Sequence, residues 1–265
     1  MTSAPPPRPA RSPAQVYRQS LWLLTSRDLR VRYTTSVLGY FWSVLDPLVM
    51  AVIYWFVFTQ IVERTIGEAP YIVFLIAGLL PWMWFNGAVG DMTRAFIKDA
   101  KLVRSTRIPR TVWVTRIALS KGIEFVAAIP VIIIFAVIFG AQLTAGVLWL
   151  PVAIALQAVL TVGLGLIIAP LVVFFRDLER AVKLVLRFLF YASPIIYGLS
   201  DLPDGLELWA AFNPLAGIIS LYRASFFPGQ VDALPVIISA AMSLLIFGVG
   251  VLVFRRMISA VLKEV

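Results

Sequence analysis

The chain has 265 residues, 60% of them hydrophobic and only 14% charged, too little polar surface to wet the exterior of a soluble domain that size. Continuously apolar stretches of about 20 residues predict helical membrane spans and exclude a transmembrane barrel, whose strands alternate apolar and polar side chains. The net charge of +9 sits in short basic runs between those stretches, an orientation signal and not a nucleic-acid surface, while the lack of cysteine and histidine removes thiol chemistry, cysteine metal sites and the commonest general base.

Residues 1–13 hold five prolines and no apolar core, so they read as a disordered cytoplasmic tail and not as a secretory signal. Residues 14–36 mix Val16, Leu21, Trp22, Leu24 and Leu29 with Arg18, Arg27, Arg30 and Arg32. That stretch is too charged to span; it predicts an amphipathic helix in the headgroup layer, or else a soluble cap. Six spans follow, over residues 37–62, 71–89, 117–139, 147–174, 182–199 and 234–254, which makes the fold class an all-α polytopic membrane protein. The fifth is short and interrupted by Arg187 and Pro194.

Lysine and arginine concentrate before the first span, between the second and third, between the fourth and fifth, and after the last. The alternate loops hold only Arg64 and Arg223. That bias predicts cytoplasmic N- and C-termini with an even number of crossings. Between the last two spans, LAGIISLYRASFF at 215–227 lies between Asn213-Pro214 and Pro228-Gly229. It predicts either a short re-entrant helix buried in protein or a helix flat on the interface.

The chemistry of an enzyme is not legible. Asp201, Asp204 and Glu207 lie in a turn-rich stretch and read as solvated surface, with no partner constellation for acid–base work. No phosphate-binding G-x-x-x-x-G-K-[ST] occurs, and Gly163 and Gly165 sit inside an apolar span. Any ATP hydrolysis therefore belongs to another chain, and transport remains. Three features support it. Phe96, Ile97 and Leu102 interleave with Lys98, Lys101 and Arg104, either to dock a cytoplasmic partner or only to fix orientation. The first span carries Tyr40, Phe41 and Trp42 toward one face and Tyr54, Trp55 and Phe56 toward the other, as interfacial belts or as rings along a passage. Asp46, mid-span, shares a helical face with Trp42, Val49, Met50 and Ile53. Facing lipid it would cost on the order of 3 kcal/mol, so it should meet water or a partner such as Arg116, Lys121 or Glu124.

LG-x-x-W-x-x-x-x-PL at 38–48, FRDL at 175–178, SPIIY at 193–197 and NPLAGIISLYR at 213–223 fall in fixed order. Together with the hydropathy plan, this set resembles the permease subunit of ABC-2 type exporters, in the branch that exports lipid-linked polysaccharides such as O antigen, teichoic acid and galactan. The proline-rich N-terminus and Ala/Val/Arg-rich style point within it to a galactan exporter of mycobacterial type. The resemblance covers residues 15–262. It implies a homodimer bound to two copies of a soluble ATPase that holds ATP and Mg, with no cofactor, metal or catalytic residue in this chain. It also implies an interface helix at 14–36, a transmembrane domain at 37–262, a coupling helix within 92–108 and short outer-gate helices within 201–229.

On that footing, a polyprenyl-diphosphate-linked glycan meets Arg27, Arg30 and Arg32 through charge-assisted hydrogen bonds. It then threads a channel lined by Tyr40, Trp42, Asp46, Tyr54, Tyr191 and Tyr197, and Phe96, Lys98, Leu102 and Arg104 receive the ATPase. An ABC-2 permease for a drug or small lipid is the alternative. A secondary transporter fits less well, because no convincing internal repeat is visible and span charges are few.

Overall fold

Ser12-Pro13-Ala14-Gln15 opens the first helix with a capping box. Gln15 N donates to Ser12 Oγ at 3.3 Å and Ser12 N donates to Gln15 Oε1 at 3.0 Å, and Pro13 takes the first helical position, where no N–H is needed. The computed structural model describes residues 12–33, 41–61, 67–203 and 205–264; among these the chain is helical, with no strand. In order the helices are α1 (Pro13–Tyr33), α2 (Trp42–Phe56), α3 (Tyr71–Met92), α4 (Ala100–Ser105), α5 (Val112–Ile138), α6 (Leu150–Phe174), α7 (Leu178–Ala192), α8 (Leu206–Ala211), α9 (Pro214–Arg223) and α10 (Ala233–Glu264). A π-helical turn, Val57–Ile61, extends α2, and a 3-10 turn, Ala145–Trp149, leads into α6. Most of the expected tail, residues 1–11, lies outside the described residues, and so do residues 34–36 of the expected interface helix.

Four segments are long and apolar enough to cross a bilayer: Tyr71–Met92, Val112–Ile138, Ala145–Phe174 and Ala233–Glu264. The other two expected spans are shorter. In the first, the apolar helix is Leu48–Ile61. The fifth, expected over 182–199, is α7, which stops at Ala192 after 15 residues, roughly 22 Å at 1.5 Å per residue. Ser193-Pro194 ends it there, since proline disfavours helix in the residue before it and has no N–H to continue one.

α3 is apolar around its whole circumference, which predicts a central helix. It is buried from Ile72 to Trp82, with α2, α5, α6, α7 and α9 packed around it. Two buried side chains tie it to its neighbours: Trp84 Nε1 donates to Ala118 O of α5 at 3.0 Å, and Gln157 Nε2 of α6 donates to Pro81 O at 2.8 Å. α10 lies along α6, and glycines set that approach. A Cβ on Gly250 would stand 2.4 Å from Gly163 O, and one on Gly163 would stand 2.7 Å from Phe247 Cα, so the two backbones touch with no room for a side chain. Gly250→Leu should therefore destabilise the fold by about 1–3 kcal/mol through overpacking, read as a lower thermal midpoint in detergent, whereas Gly248→Ala, with open space at its Cβ, should leave the midpoint unchanged.

Candidate functional site

The chain concentrates its polar chemistry at the two ends of the bundle and on one face of α2. The basic end is where α1, the last turn of α3, α4 and the start of α5 meet. There Arg116 of α5, with a side chain only 3% exposed, donates to Asp28 of α1 and to Asp99, just before α4. Arg27 reaches the same Asp99 at 3.0 Å and Asp28 at 3.2 Å. Arg32 pairs with Glu124 and, at 3.2 Å, with Asp91, while Lys121 sits 3.3 Å from Glu124. These pairs border a recess of 970 Å³ that Arg94, Lys98 and Arg176 also line.

This arrangement bears on two expectations. Asp46 makes no ion pair with Arg116, Lys121 or Glu124, which pair at the basic end instead. Of the arginines expected to meet a diphosphate, Arg27 and Arg32 are held by carboxylates of the chain itself. Arg30 is exposed and makes no ion pair among the described residues. The sequence reading assigns no role to Asp28, Asp91 and Asp99, and it offers Arg116 only as a partner for Asp46. The three acids are visible as isolated carboxylates inside otherwise basic runs, which a count of cations for orientation passes over.

The segment expected to couple to an ATPase turns through Thr93–Asp99 and then forms α4. Phe96 is fully buried, its ring 6.1 Å from that of Phe254 in α10, so it anchors the segment to the chain's own core and is not a docking side chain. Val103 is buried as well, and Arg110 donates to its carbonyl. Ile97, Lys98, Lys101 and Arg104 are exposed, as are Arg94, Ser105 and Arg107, with Leu102 half-buried. The basic rim is therefore where the sequence placed it, around Ile97 and not Phe96.

On α2 the residues expected to share a face do so. Trp42, Asp46, Val49, Met50 and Ile53 are all exposed, a strip of apolar side chains with one carboxylate in it. Farther along, Tyr54 lies 6.0 Å from Phe190 of α7, ring to ring, Tyr191 beside it is exposed, and Tyr197 Oη donates to Tyr191 O at 3.1 Å. Three of the expected channel residues, Tyr54, Tyr191 and Tyr197, are thus gathered where α2 meets the end of α7. Trp42 and Asp46 lie on the same helix two to three turns away, and Tyr40 lies outside the described residues.

The end opposite the basic end is organised by Arg223, which the sequence reading counted only as a rare cation. α7 stops at Ser193-Pro194, leaving carbonyls with no helical donor. Arg223 Nη2 donates to Ile195 O at 2.7 Å, Nη1 to Tyr197 O at 3.0 Å and Nε to Phe74 O at 3.3 Å, with the guanidinium 3.5 Å over the Phe74 ring. Asn213, at the other end of α9, donates to Ala192 O at 3.2 Å and Ser193 Oγ at 2.8 Å, while its own Oδ1 caps Leu215 N. Gly78 makes room for this: a Cβ there would stand 3.1 Å from both Arg223 Nη2 and Ile195 O. α9 is buried on all sides from Leu215 to Arg223. A helix flat on an interface would leave one face open, so that alternative does not describe it.

Two motifs of the resemblance, SPIIY and NPLAGIISLYR, are the two halves of this clamp. Residues 19–227 match the family described as ABC-2 type transporter. The chain is 34% identical over 238 residues to the O-antigen export system permease protein RfbA of Klebsiella pneumoniae, covering 89% of this chain and 91% of that protein. It is 32% identical over 242 residues to the protein of the same name from Myxococcus xanthus, covering 90% and 92%. The polysialic acid transport protein KpsM of Escherichia coli is 25% identical over 224 residues, covering 84% and 87%.

Two outcomes follow from the geometry. Arg223→Leu strands buried carbonyls and should lose on the order of 3 kcal/mol or more; Arg223→Lys, a single point donor in place of a planar fork, should recover only part of it, both read by thermal unfolding in detergent. At the basic end, hydrogen bonds from Arg94 (2.9 and 2.6 Å) and Lys183 (2.7 Å) pull the Glu179 carboxyl down to about 2 from the ordinary 4.5. Because the folded value is the lower one, this tie from Arg94 to α7 is fully present above pH 4.5 and disappears as pH falls through about 2. Arg94→Ala should weaken that pH dependence of the thermal midpoint, leaving the part due to Lys183, and salt should mute it in the parent, since Arg94 is exposed.

Proposed function

The chain belongs to the ABC-2 type transporter family, and we propose that it is the membrane-spanning permease subunit of an ATP-driven exporter that carries a lipid-linked polysaccharide, galactan or O-antigen-like, across the inner membrane. The observation that carries this reading is similarity along nearly the whole chain to two O-antigen export permeases, joined to helices long and apolar enough to span.

The route follows from α2. A strip holding a carboxylate among apolar side chains is a poor face for lipid, where the charge would cost on the order of 3 kcal/mol. A second copy of the chain, apposed through α2 and the exposed face of α7, converts the strip into the wall of a hydrated passage. Tyr54, Tyr191 and Tyr197 then offer flat rings with hydroxyls along the glycan's path. In this reading α2 and α7 complete six crossings, with both termini cytoplasmic as the basic runs imply. Their shortness suits helices that face water and protein and not the full hydrocarbon thickness. α9 and its neighbours form the outer gate, dipping in from the far side.

The soluble ATPase, two copies to a dimer, supplies ATP and Mg and docks on the rim of Ile97, Lys98, Lys101 and Arg104. The polyprenyl diphosphate approaches the recess at the basic end. Arg30 is open to it at once, whereas Arg27 and Arg32 must exchange a carboxylate for a phosphate oxygen. Because the chain has no cysteine, Asp46→Cys supplies a single thiol. In the assembled complex it should react with membrane-impermeant maleimide, and Asp46→Leu should reduce surface glycan about tenfold, an affinity or barrier change of roughly 1.4 kcal/mol, with the ATPase still co-purifying. An unreactive thiol together with normal glycan display would rule out the α2 route.

A further inference from the structure

The charge cluster around Arg116 has a geometry that neither a carrier's phosphates nor a docked ATPase requires. Arg116 belongs to the first turns of α5, Asp28 to the middle of α1, and Asp99 to the turn that leads into α4. One guanidinium holds both carboxylates, with separate Nη groups, and Arg27 closes the ring by joining Asp99 back to α1 at 3.0 Å. Three elements, of which α1 is distant in sequence from the other two, thus share one set of charges.

Such a cluster is a weak way to gain stability. Withdrawing a guanidinium from water is unfavourable, and apolar side chains of similar volume often do as well. Arg116 Nε, moreover, is buried and unpartnered, so the packing does not maximise hydrogen bonding. What the planar fork does provide is a fixed geometry between its two partners. Simple attachment of α1 to the body is served independently: Tyr17 Oη lies 3.0 Å from Thr115 Oγ1, and Arg32 pairs with Asp91 and Glu124. The 93–105 segment likewise has its own anchors in Phe96 and Val103. The Asp28–Arg116–Asp99 bridge adds something different, a direct line from the segment bearing the docking rim to the helix bearing Arg30.

We infer that Arg116 is a positioning residue that couples α4 to α1, so that displacement of the docking rim is transmitted to the helix at the entrance to the recess. The inference rests on the reading that the rim around Ile97 receives the ATPase. The two ends of the bridge sit on elements with otherwise separate anchors, and both ties between them, through Arg116 and through Arg27, meet at Asp99. Removing the Asp99 carboxylate frees them from each other, and ATP turnover then proceeds without moving α1.

The test uses the permease–ATPase complex, in cells for glycan display and in nanodiscs for ATP turnover. Asp99→Asn removes the charge that both Arg116 and Arg27 hold. It should assemble and hydrolyse ATP as the parent does, with glycan exported per ATP lowered about tenfold, within the usual range of coupling between sites; Asp99→Glu should restore it. Arg116→Lys keeps the cation with a single donor head but leaves Arg27 on Asp99; it serves as the second variant, with a smaller loss expected, if Asp99→Asn does not accumulate. Unchanged export per ATP in these variants, or export falling only in proportion to assembled complex, overturns the inference. Ile97→Glu tests the underlying docking reading separately. It should remove the ATPase from the purified complex, and retention of a fully active ATPase would sink the docking site itself and the coupling built on it.

Discussion

Where the backbone of this chain turns irregular inside the fold, its carbonyls are answered by side chains of the same chain, and the fold is arranged around those answers. Arg223 shows the constraint most directly. It is 2% exposed and directs its donors not at a carboxylate but at the carbonyls of Phe74, Ile195 and Tyr197. The break after α7 creates irregular backbone, which at membrane depth is tolerable only where protein supplies the missing donors. Asn213 answers Ala192 and Ser193 by the same logic, and Gln157 answers Pro81. α9 can be buried on all sides because both of its ends are fastened in this way.

The same constraint gives meaning to its exceptions. At the basic end the answers are charges, most of them shared: Asp99 between Arg27 and Arg116, Glu124 between Arg32 and Lys121. Shared charges hold geometry better than they hold the fold together, which suits the coupling inferred for this end. On α2 the answer is absent from the described residues. Asp46 stands in a strip with Trp42, Val49, Met50 and Ile53, exposed along with them. A single chain leaves that strip open, and it is this face that the proposed second copy would cover.

The similarity to polysaccharide export permeases can be read in the same terms. SPIIY supplies the broken end of α7, and NPLAGIISLYR supplies the asparagine and arginine that close it. FRDL is the turn between α6 and α7, where Arg176 lines the recess. The LG-x-x-W motif begins just ahead of α2 and runs into its open face. Residues that mark the family in sequence are, in space, the joints between helices and the face that one chain does not cover.

Hydropathy, charge and short motifs were enough to identify a helical membrane protein, the four long helices and the family, because apolar length, proline and glycine placement and short motifs are all local along the chain. They also put Trp42, Val49, Met50 and Ile53 on one face with Asp46, since helical periodicity fixes that by itself. Partners across the fold were not legible. Nothing in the order of residues says that Phe96 turns inward to Phe254 while Ile97 turns outward, that Arg27 and Arg32 are engaged by Asp99, Asp91 and Glu124, or that Arg223 serves Ile195 and Tyr197. Those pairings join positions tens to more than a hundred residues apart, and only the packing of the helices brings them within hydrogen-bond reach.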